Sequence, residues 1–236
     1  MTRIRSLLCT LTCMAAPFLS AADANTLTAE EKAAGWKLLF DGKSTTGWRG
    51  YKQKTFPAKG WKAEEGVLQK VAGERGGDII TEKTFSDYEF AWEWKLAPGG
   101  NNGVKYFVTE DRPGAPGHEY QMIDDGKHAD AKGAGTHLTA AFYDVLPAAA
   151  DKPLKPAGEW NQSRLVVRGK HIEHWLNGKK VVEYELGSDV VKAGLAKSKF
   201  KNAKGFGDKI AGHLMLTDHG DGCGFRNLKL RELQAK

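Results

Sequence analysis

Disulfide chemistry is nearly absent from this chain. Of its three cysteines, Cys9 and Cys13 fall in the first residues and only Cys223 lies in the remainder. A lone thiol cannot form an internal disulfide, so stability must come from a packed core. Long apolar runs are also missing. The stretch from Leu7 to Leu19 has about 13 residues, short of the roughly 20 that a bilayer core requires. There is no Gly-x-Ser-x-Gly elbow, no phosphate-binding glycine loop and no histidine pair at zinc-protease spacing, which removes the usual signals for those three chemistries. Charge is not one-sided either: 35 Lys+Arg against 29 Asp+Glu leave a net +6, and both signs are interspersed. One local basic group, Lys192, Lys197, Lys199, Lys201 and Lys204, reads as a solvated helix-and-loop face, and nucleic-acid binding is not inferred from it.

The chain does have the pattern of an export leader. Arg3 and Arg5 precede the apolar run, and the small residues Ala22 and Ala24 flank Asp23 after it. Residues 1–24 are expected to be a signal peptide cut after Ala24, with Ala22 as the next choice, and to direct the product to the periplasm or the medium. Neither Cys9 nor Cys13 follows the pattern that precedes a lipidated cysteine, so no membrane anchor is expected. Residues 25–236 are sized for one domain that can bury a core without staples.

Strand periodicity dominates that domain. From Ser86 to Leu96 the residues Tyr88, Phe90, Trp92, Trp94 and Leu96 alternate with Asp87, Glu89, Ala91, Glu93 and Lys95, the mark of a half-buried antiparallel strand. Short strand-like runs recur at 36–40, 67–70, 78–81, 104–109, 119–123, 164–168, 172–176, 181–186, 214–218 and 224–231. Many short strands between turn residues point to a sandwich or barrel. Asn177-Gly178 supplies the two positive-φ residues of a type I′ hairpin turn within 171–186. One helix is predicted after Ser188, which can cap it, with Val190, Val191, Leu195 and Ala196 at helical spacing.

Chemistry-bearing residues gather in a few places. In the run from Glu119 to Asp125, strand alternation places Glu119 and Gln121 on one face. A bulge near Met122 or Ile123 would bring Asp124 to that face, and without one Asp124 points away. Asn101-Asn102-Gly103 reads as a turn, with Lys105 just beyond it. Asp218-His219-Gly220-Asp221-Gly222 reads as a turn in preference to a Ca²⁺ site, because its spacing does not match an EF-hand loop. His128, His137, His171 and His174 read as surface or structural residues. Trp92 and Trp94 belong to the apolar stripe, while Trp48, Trp61 and Trp160 are candidates for stacking on a sugar ring.

Taken in order, several short patches resemble the 3-keto-disaccharide hydrolase family. They include Gly35-Trp36-Lys37-Leu38-Leu39-Phe40-Asp41-Gly42, Gly47-Trp48, Asp78-Ile79-Ile80-Thr81 and Glu93-Trp94-Lys95. They continue with Asn101-Asn102-Gly103-Val104, the run Glu119 to Asp125, Tyr143-Asp144, Gly158-Glu159-Trp160-Asn161, His174-Trp175-Leu176-Asn177-Gly178, Asp218-His219-Gly220 and Phe225-Arg226-Asn227. The chain departs from the family's pattern at Asn102, at Thr217 and in the run Thr139-Ala140-Ala141-Phe142-Tyr143. The resemblance implies an all-β fold: a two-sheet antiparallel jelly-roll sandwich of the concanavalin A-like lectin and glucanase type, here with one short helix.

For function, the resemblance implies an enzyme that cleaves 3-keto-glycosides. A ketone at C3 acidifies the C2 proton, so a base can remove it, the bond to the C1 oxygen can break by elimination, and water can add back. Glu119 is the expected base, with Asp124 or His219 as the acid or second base. Lys105, Gln121 and Asn161 are candidates to polarise the ketone, a divalent cation being an alternative to Lys105. Asn101, Tyr143, Trp48 and Trp160 complete the expected substrate contacts. A separate sugar 3-dehydrogenase would supply the substrate. Two alternatives stand: a conventional laminarinase-like glycosidase using Glu119 and Asp124, and a non-catalytic glycan-binding module.

Overall fold

A computed structural model of the chain describes residues 24–112, 116–133 and 135–234. The expected leader, apart from Ala24, lies outside the described residues. The strands in chain order are β1 (Lys37–Leu38), β2 (Trp48–Gly50), β3 (Trp61–Glu64), β4 (Val67–Lys70), β5 (Ile79–Thr81), β6 (Tyr88–Leu96), β7 (Asn101–Val108) and β8 (His118–Ile123). After a long connection come β9 (Asn161–Arg168), β10 (His171–Leu176), β11 (Lys179–Glu185), β12 (His213–Leu216) and β13 (Cys223–Glu232). Among the described residues two α-helices, α1 (Ala29–Ala33) and α2 (Asp189–Lys197), accompany them, with two single-turn 3₁₀ helices at Asp130–Lys132 and Gly135–His137. No described helix is long and apolar enough to cross a membrane.

These strands form two antiparallel sheets, giving the jelly-roll sandwich. The eight-stranded sheet runs β11-β10-β9-β6-β13-β4-β3, with β1 also on β13, and the five-stranded sheet runs β2-β5-β12-β7-β8. Strand β6 sits between β9 and β13, and its alternation is realised as read: Tyr88, Phe90, Trp92, Trp94 and Leu96 are buried in the shared core. Each large apolar side chain so buried contributes on the order of 1.5–3 kcal/mol. The Trp94 indole is matched, its Nε1 donating to Ser163 Oγ at 2.8 Å while Ser163 Oγ donates across to Tyr120 Oη at 2.8 Å, whereas Trp92 Nε1 is buried without a partner.

Local chemistry explains several boundaries. Asn177 and Gly178 take φ of 45° and 85°, and so turn β10 into β11 as a type I′ loop. Ser188 stands at the N-cap of α2 with extended backbone, but its side chain makes no capping bond and its Oγ is buried without a partner. The short helix α1 is the one with a formed capping box, in which Thr28 Oγ1 accepts from the Glu31 N–H and Glu31 accepts from the Thr28 N–H. Asn101-Asn102-Gly103 is not a turn: it opens β7, in register with Ile123, Met122 and Gln121 of β8.

Buried histidines anchor the long connection to the core. His174 Nδ1 lies 2.8 Å from the Ala140 carbonyl, which can only accept, so Nδ1 carries the proton and Nε2 accepts from Tyr106 Oη at 2.9 Å. Tyr106 Oη is in turn 2.6 Å from Tyr184 Oη. Burial pushes the pKa of His174 down to about 4 and that of His118 to about 3, so both rings are neutral in the folded core.

Candidate active site

The outer face of the five-stranded sheet assembles most of the chemistry. Strands β7 and β8 pair without a register shift, setting Lys105 opposite Glu119, Gly103 opposite Gln121 and Asn101 opposite Ile123. Alternation puts all six residues on one face, because Tyr120 and Met122 fill the core on the other. Lys105 Nζ lies 3.6 Å from Glu119 Oε2, and the two side chains are 19% and 8% exposed. A carboxylate this buried needs a compensating charge, and the ammonium supplies it.

Gly103 makes the room. A Cβ built on it would stand 2.1 Å from Glu119 Oε1 and 2.9 Å from Cδ, so the carboxylate of Glu119 occupies the place that any other residue's side chain would take. A glycine in the middle of a strand weakens it. Here that weakness coincides with the close approach of an acid.

Tyr143 joins from the connection between β8 and β9. Residues 139–143 follow the free edge of β8 through main-chain bonds, from Ala140 N–H to Gln121 O at 2.8 Å, from Gln121 N–H to Ala141 O at 3.2 Å and from Tyr143 N–H to Glu119 O at 3.0 Å. Phe142 packs into the core against Tyr184, which turns Tyr143 to the Glu119 side. Burial pushes the Tyr143 hydroxyl up, followed by its bond to Asp130 and the nearby negative charge of Glu119. It therefore stays protonated.

The other end of the face is closed by the loop after β12. Thr217 N–H donates to Gly103 O at 3.1 Å, and Asn101 N–H donates to Asp221 Oδ2 at 2.9 Å. His219 stands exposed in that loop. Its neighbour Asp218 is spent on structure, accepting from Gly76, Gly77 and Gly220 N–H and lying 3.1 Å from the buried Lys70 Nζ. Asn101 is buried, and its Oδ1 finds no partner. A buried acceptor left unsatisfied costs about 1–3 kcal/mol.

Four expected residues lie elsewhere. No bulge occurs near Met122 or Ile123, so Asp124 does not reach the Glu119 face. It caps a turn instead, accepting from Gly99, Gly126 and Lys127 N–H at 2.8, 3.1 and 3.2 Å, bonds that hold its carboxyl below the usual range. Glu119 and Asp124 thus do not form the facing pair that a conventional glycosidase needs. Trp48 is a core residue whose Nε1 donates to Leu39 O at 2.7 Å. Trp160 lies on the other sheet, between the Arg226 guanidinium at 4.2 Å and the Lys95 ammonium at 5.1 Å from its ring. Asn161 is buried and ties Lys155 to Asn177 through its side-chain oxygen. The described residues that could hold a metal ion, His171, Glu173 and Glu183, are on the β10–β11 hairpin, where Lys180 already contacts both carboxylates.

From the sequence alone Gly103, His137 and Lys199 carry only turn, structural or solvated-surface readings, and Asp130 is not marked at all. No local pattern joins them, since Asp130 meets Tyr143 from 13 residues away in an irregular connection and Lys199 from 56 residues away.

The comparisons decide the family. The model of the 3-keto-α-glucoside-1,2-lyase-like domain matches residues 35–231. The chain belongs to this family. A protein of Bacteroides thetaiotaomicron named 3-keto-disaccharide hydrolase is 34% identical over 91% of this chain and 84% of its own length. Among solved structures, two Parabacteroides distasonis proteins assigned by name to the glycosyl hydrolases are similar. One is 34% identical with a TM-score of 0.80, over 89% of this chain and all of its own, and the other is 29% identical with a TM-score of 0.69, over 84% and 99%. The family match spans every residue of the Glu119 face.

Proposed function

We propose that this member of the family cleaves glycosides already oxidised at C3, using Glu119 to remove the C2 proton. The observation that carries this reading is the Glu119 carboxylate itself, seated over Gly103 with one ammonium beside it and no second carboxylate from β8 on its face. A carboxylate beside an ammonium suits proton abstraction next to a ketone, whereas direct hydrolysis at C1 calls for two opposed carboxyl groups.

In this account Glu119 takes the proton from C2 and the electron pair moves toward the C3 oxygen. Lys105, and Gln121 on the same face, stabilise the negative charge that develops there. The pair then returns to form the C1–C2 double bond as the glycosidic oxygen leaves from C1 with a proton. Addition of water across that bond, OH at C1 and H at C2, completes a net hydrolysis. His219, exposed at the rim, is the proposed proton donor to the leaving oxygen. The relative's name, 3-keto-disaccharide hydrolase, supports a carbohydrate substrate with a 3-keto group, and a separate sugar 3-dehydrogenase is the proposed source of that ketone.

The reading is tested by offering matched glucosides with and without a 3-keto group and measuring aglycone release. Cleavage of the keto compound alone supports it. Equal rates on both would assign the site to direct glycoside hydrolysis, and binding without turnover of either would assign it to a glycan-binding module.

A further inference from the structure

His137 holds together the segment that carries Tyr143 to Glu119. Its Nδ1 is 2.9 Å from Asp130 Oδ1 and its Nε2 is 2.8 Å from Asp144 Oδ1. Carboxylate oxygens only accept, so both bonds exist together only when both ring nitrogens carry protons. Each carboxylate then uses its second oxygen. Asp130 Oδ2 accepts from the Tyr143 hydroxyl at 3.0 Å, and Asp144 Oδ2 accepts from the Lys199 N–H at 2.7 Å. The network closes on itself, because Lys199 Nζ is 3.2 Å from Tyr143 Oη and the His137 ring packs on the Tyr143 ring with centroids 4.7 Å apart.

We propose that His137, in its doubly protonated form, is a positioning residue that fixes Tyr143 as the wall of the Glu119 site, so that turnover falls as the ring loses a proton. The proposal rests on the reading of Glu119 as the base. Removing one proton would leave a ring lone pair facing a carboxylate, and one of the two anchors would have to let go. Release of Asp130 frees the Tyr143 hydroxyl, and release of Asp144 frees the segment at Lys199. Among the described residues, the charged and titratable groups that face the ring or its partners are Asp130, Asp144, Tyr143, Lys199 and His128, whose Nδ1 accepts from the Asp130 N–H at 3.1 Å, with Glu119 behind Tyr143. Burial works against the charged ring, but the bonds to Asp144 and Asp130 outweigh it and raise the His137 pKa above its ordinary 6.5. The sign follows: the clamp is complete below the ordinary value and is lost as pH rises through the raised one.

The test combines an NMR pH titration of His137 in the full chain with the pH dependence of kcat/KM on a 3-keto glucoside. An alkaline fall in kcat/KM at the pH where His137 titrates is expected, as is its disappearance in His137→Gln, whose amide can donate to only one carboxylate. That variant should lose about tenfold in kcat/KM at pH 6.5. A wild-type profile flat across the His137 titration, or the same alkaline fall in a folded His137→Gln, would overturn the proposal. Should the variant not fold, the wild-type comparison decides alone. The Tyr143 ring resonances give a readout that needs no turnover. They should move with His137 protonation even if the keto glucoside proves not to be the substrate, and their indifference to it would overturn the clamp independently of the reaction.

Discussion

Gly103 lies directly beneath the carboxylate of Glu119, close enough that the smallest side chain on it would overlap Oε1 at 2.1 Å. The acid is therefore placed by an absence on the neighbouring strand. Gly103→Ala should keep the sandwich, because the surrounding core is untouched, but should push Glu119 off its position beside Lys105. A loss of about 10²-fold in kcat/KM is expected, the order that a misplaced catalytic group costs. Steady-state kinetics alongside a thermal melt would check this, and full activity would show that the approach has no catalytic meaning.

Lys105 is the nearest cation to Glu119, at 3.6 Å. If it stabilises charge on the C3 oxygen, Lys105→Met should lower kcat/KM by about 10² to 10³-fold, the range seen when one such donor is removed. Lys105→Arg, which keeps the charge with a different shape, should recover part of the loss. Rates within a factor of two of wild type would remove Lys105 from the mechanism.

Acid should destabilise the fold well before its carboxylates are protonated. His174 and His118 are buried neutral, with pKa values of about 4 and about 3 against an ordinary 6.5. The unfolded chain therefore binds these two protons first. The stability they contribute is complete above pH 6.5 and is withdrawn as pH falls toward 4 and then 3. Thermal midpoints measured from pH 7 to 4 should decline, and the decline should be shallower in His174→Gln. A midpoint unchanged between pH 6.5 and 4 would contradict this.

The leader is proposed to be removed during export. Mass spectrometry of the mature protein should give an N-terminus near Asn25 or Asp23. Asn25 is well held for such a role, since its Nδ2 donates to Gly66 O at 2.8 Å and its Oδ1 accepts from Asn227 N–H at 2.9 Å. Recovery of the full-length chain from the cytoplasm would contradict export.

Much of the fold was legible because burial on one face leaves a period-two trace. Tyr88 to Leu96 announces β6 outright, and Asn177-Gly178 announces the hairpin. The edge strands β2 and β3 were not read, because three or four residues such as Trp48-Arg49-Gly50 are too few for a period to show. The α1 capping box was likewise passed over in a helix of one turn.

By periodicity alone the site was legible only where one strand carries it, and Lys105, Asn101, Tyr143 and His219 were expected only through the family resemblance. Glu119 and Gln121 share a face by alternation, but Lys105 and Gly103 enter through cross-strand register, which no local pattern encodes. Asp124 shows the limit from the other side. Its carboxylate looked available for catalysis, yet three backbone N–H groups claim it, a demand visible only once the turn is built. Trp160 resembled a sugar platform by the polar segment around it, but its ring is taken by the Lys95 ammonium and the Arg226 guanidinium, brought to it from distant strands.

The central claim, that Glu119 removes the proton at C2, is tested most directly by running the reaction in D₂O. Elimination and hydration lose the C2 proton and regain one from solvent, so the released 3-keto sugar should carry deuterium at C2, beyond the exchange that occurs beside a ketone without enzyme. Glu119→Gln, nearly the same shape but without basicity, should lose about 10² to 10⁴-fold in rate. Product formed at the full wild-type rate with no enzymatic deuterium at C2 would mean that the C2–H bond never broke, and would contradict the account whatever other variants showed.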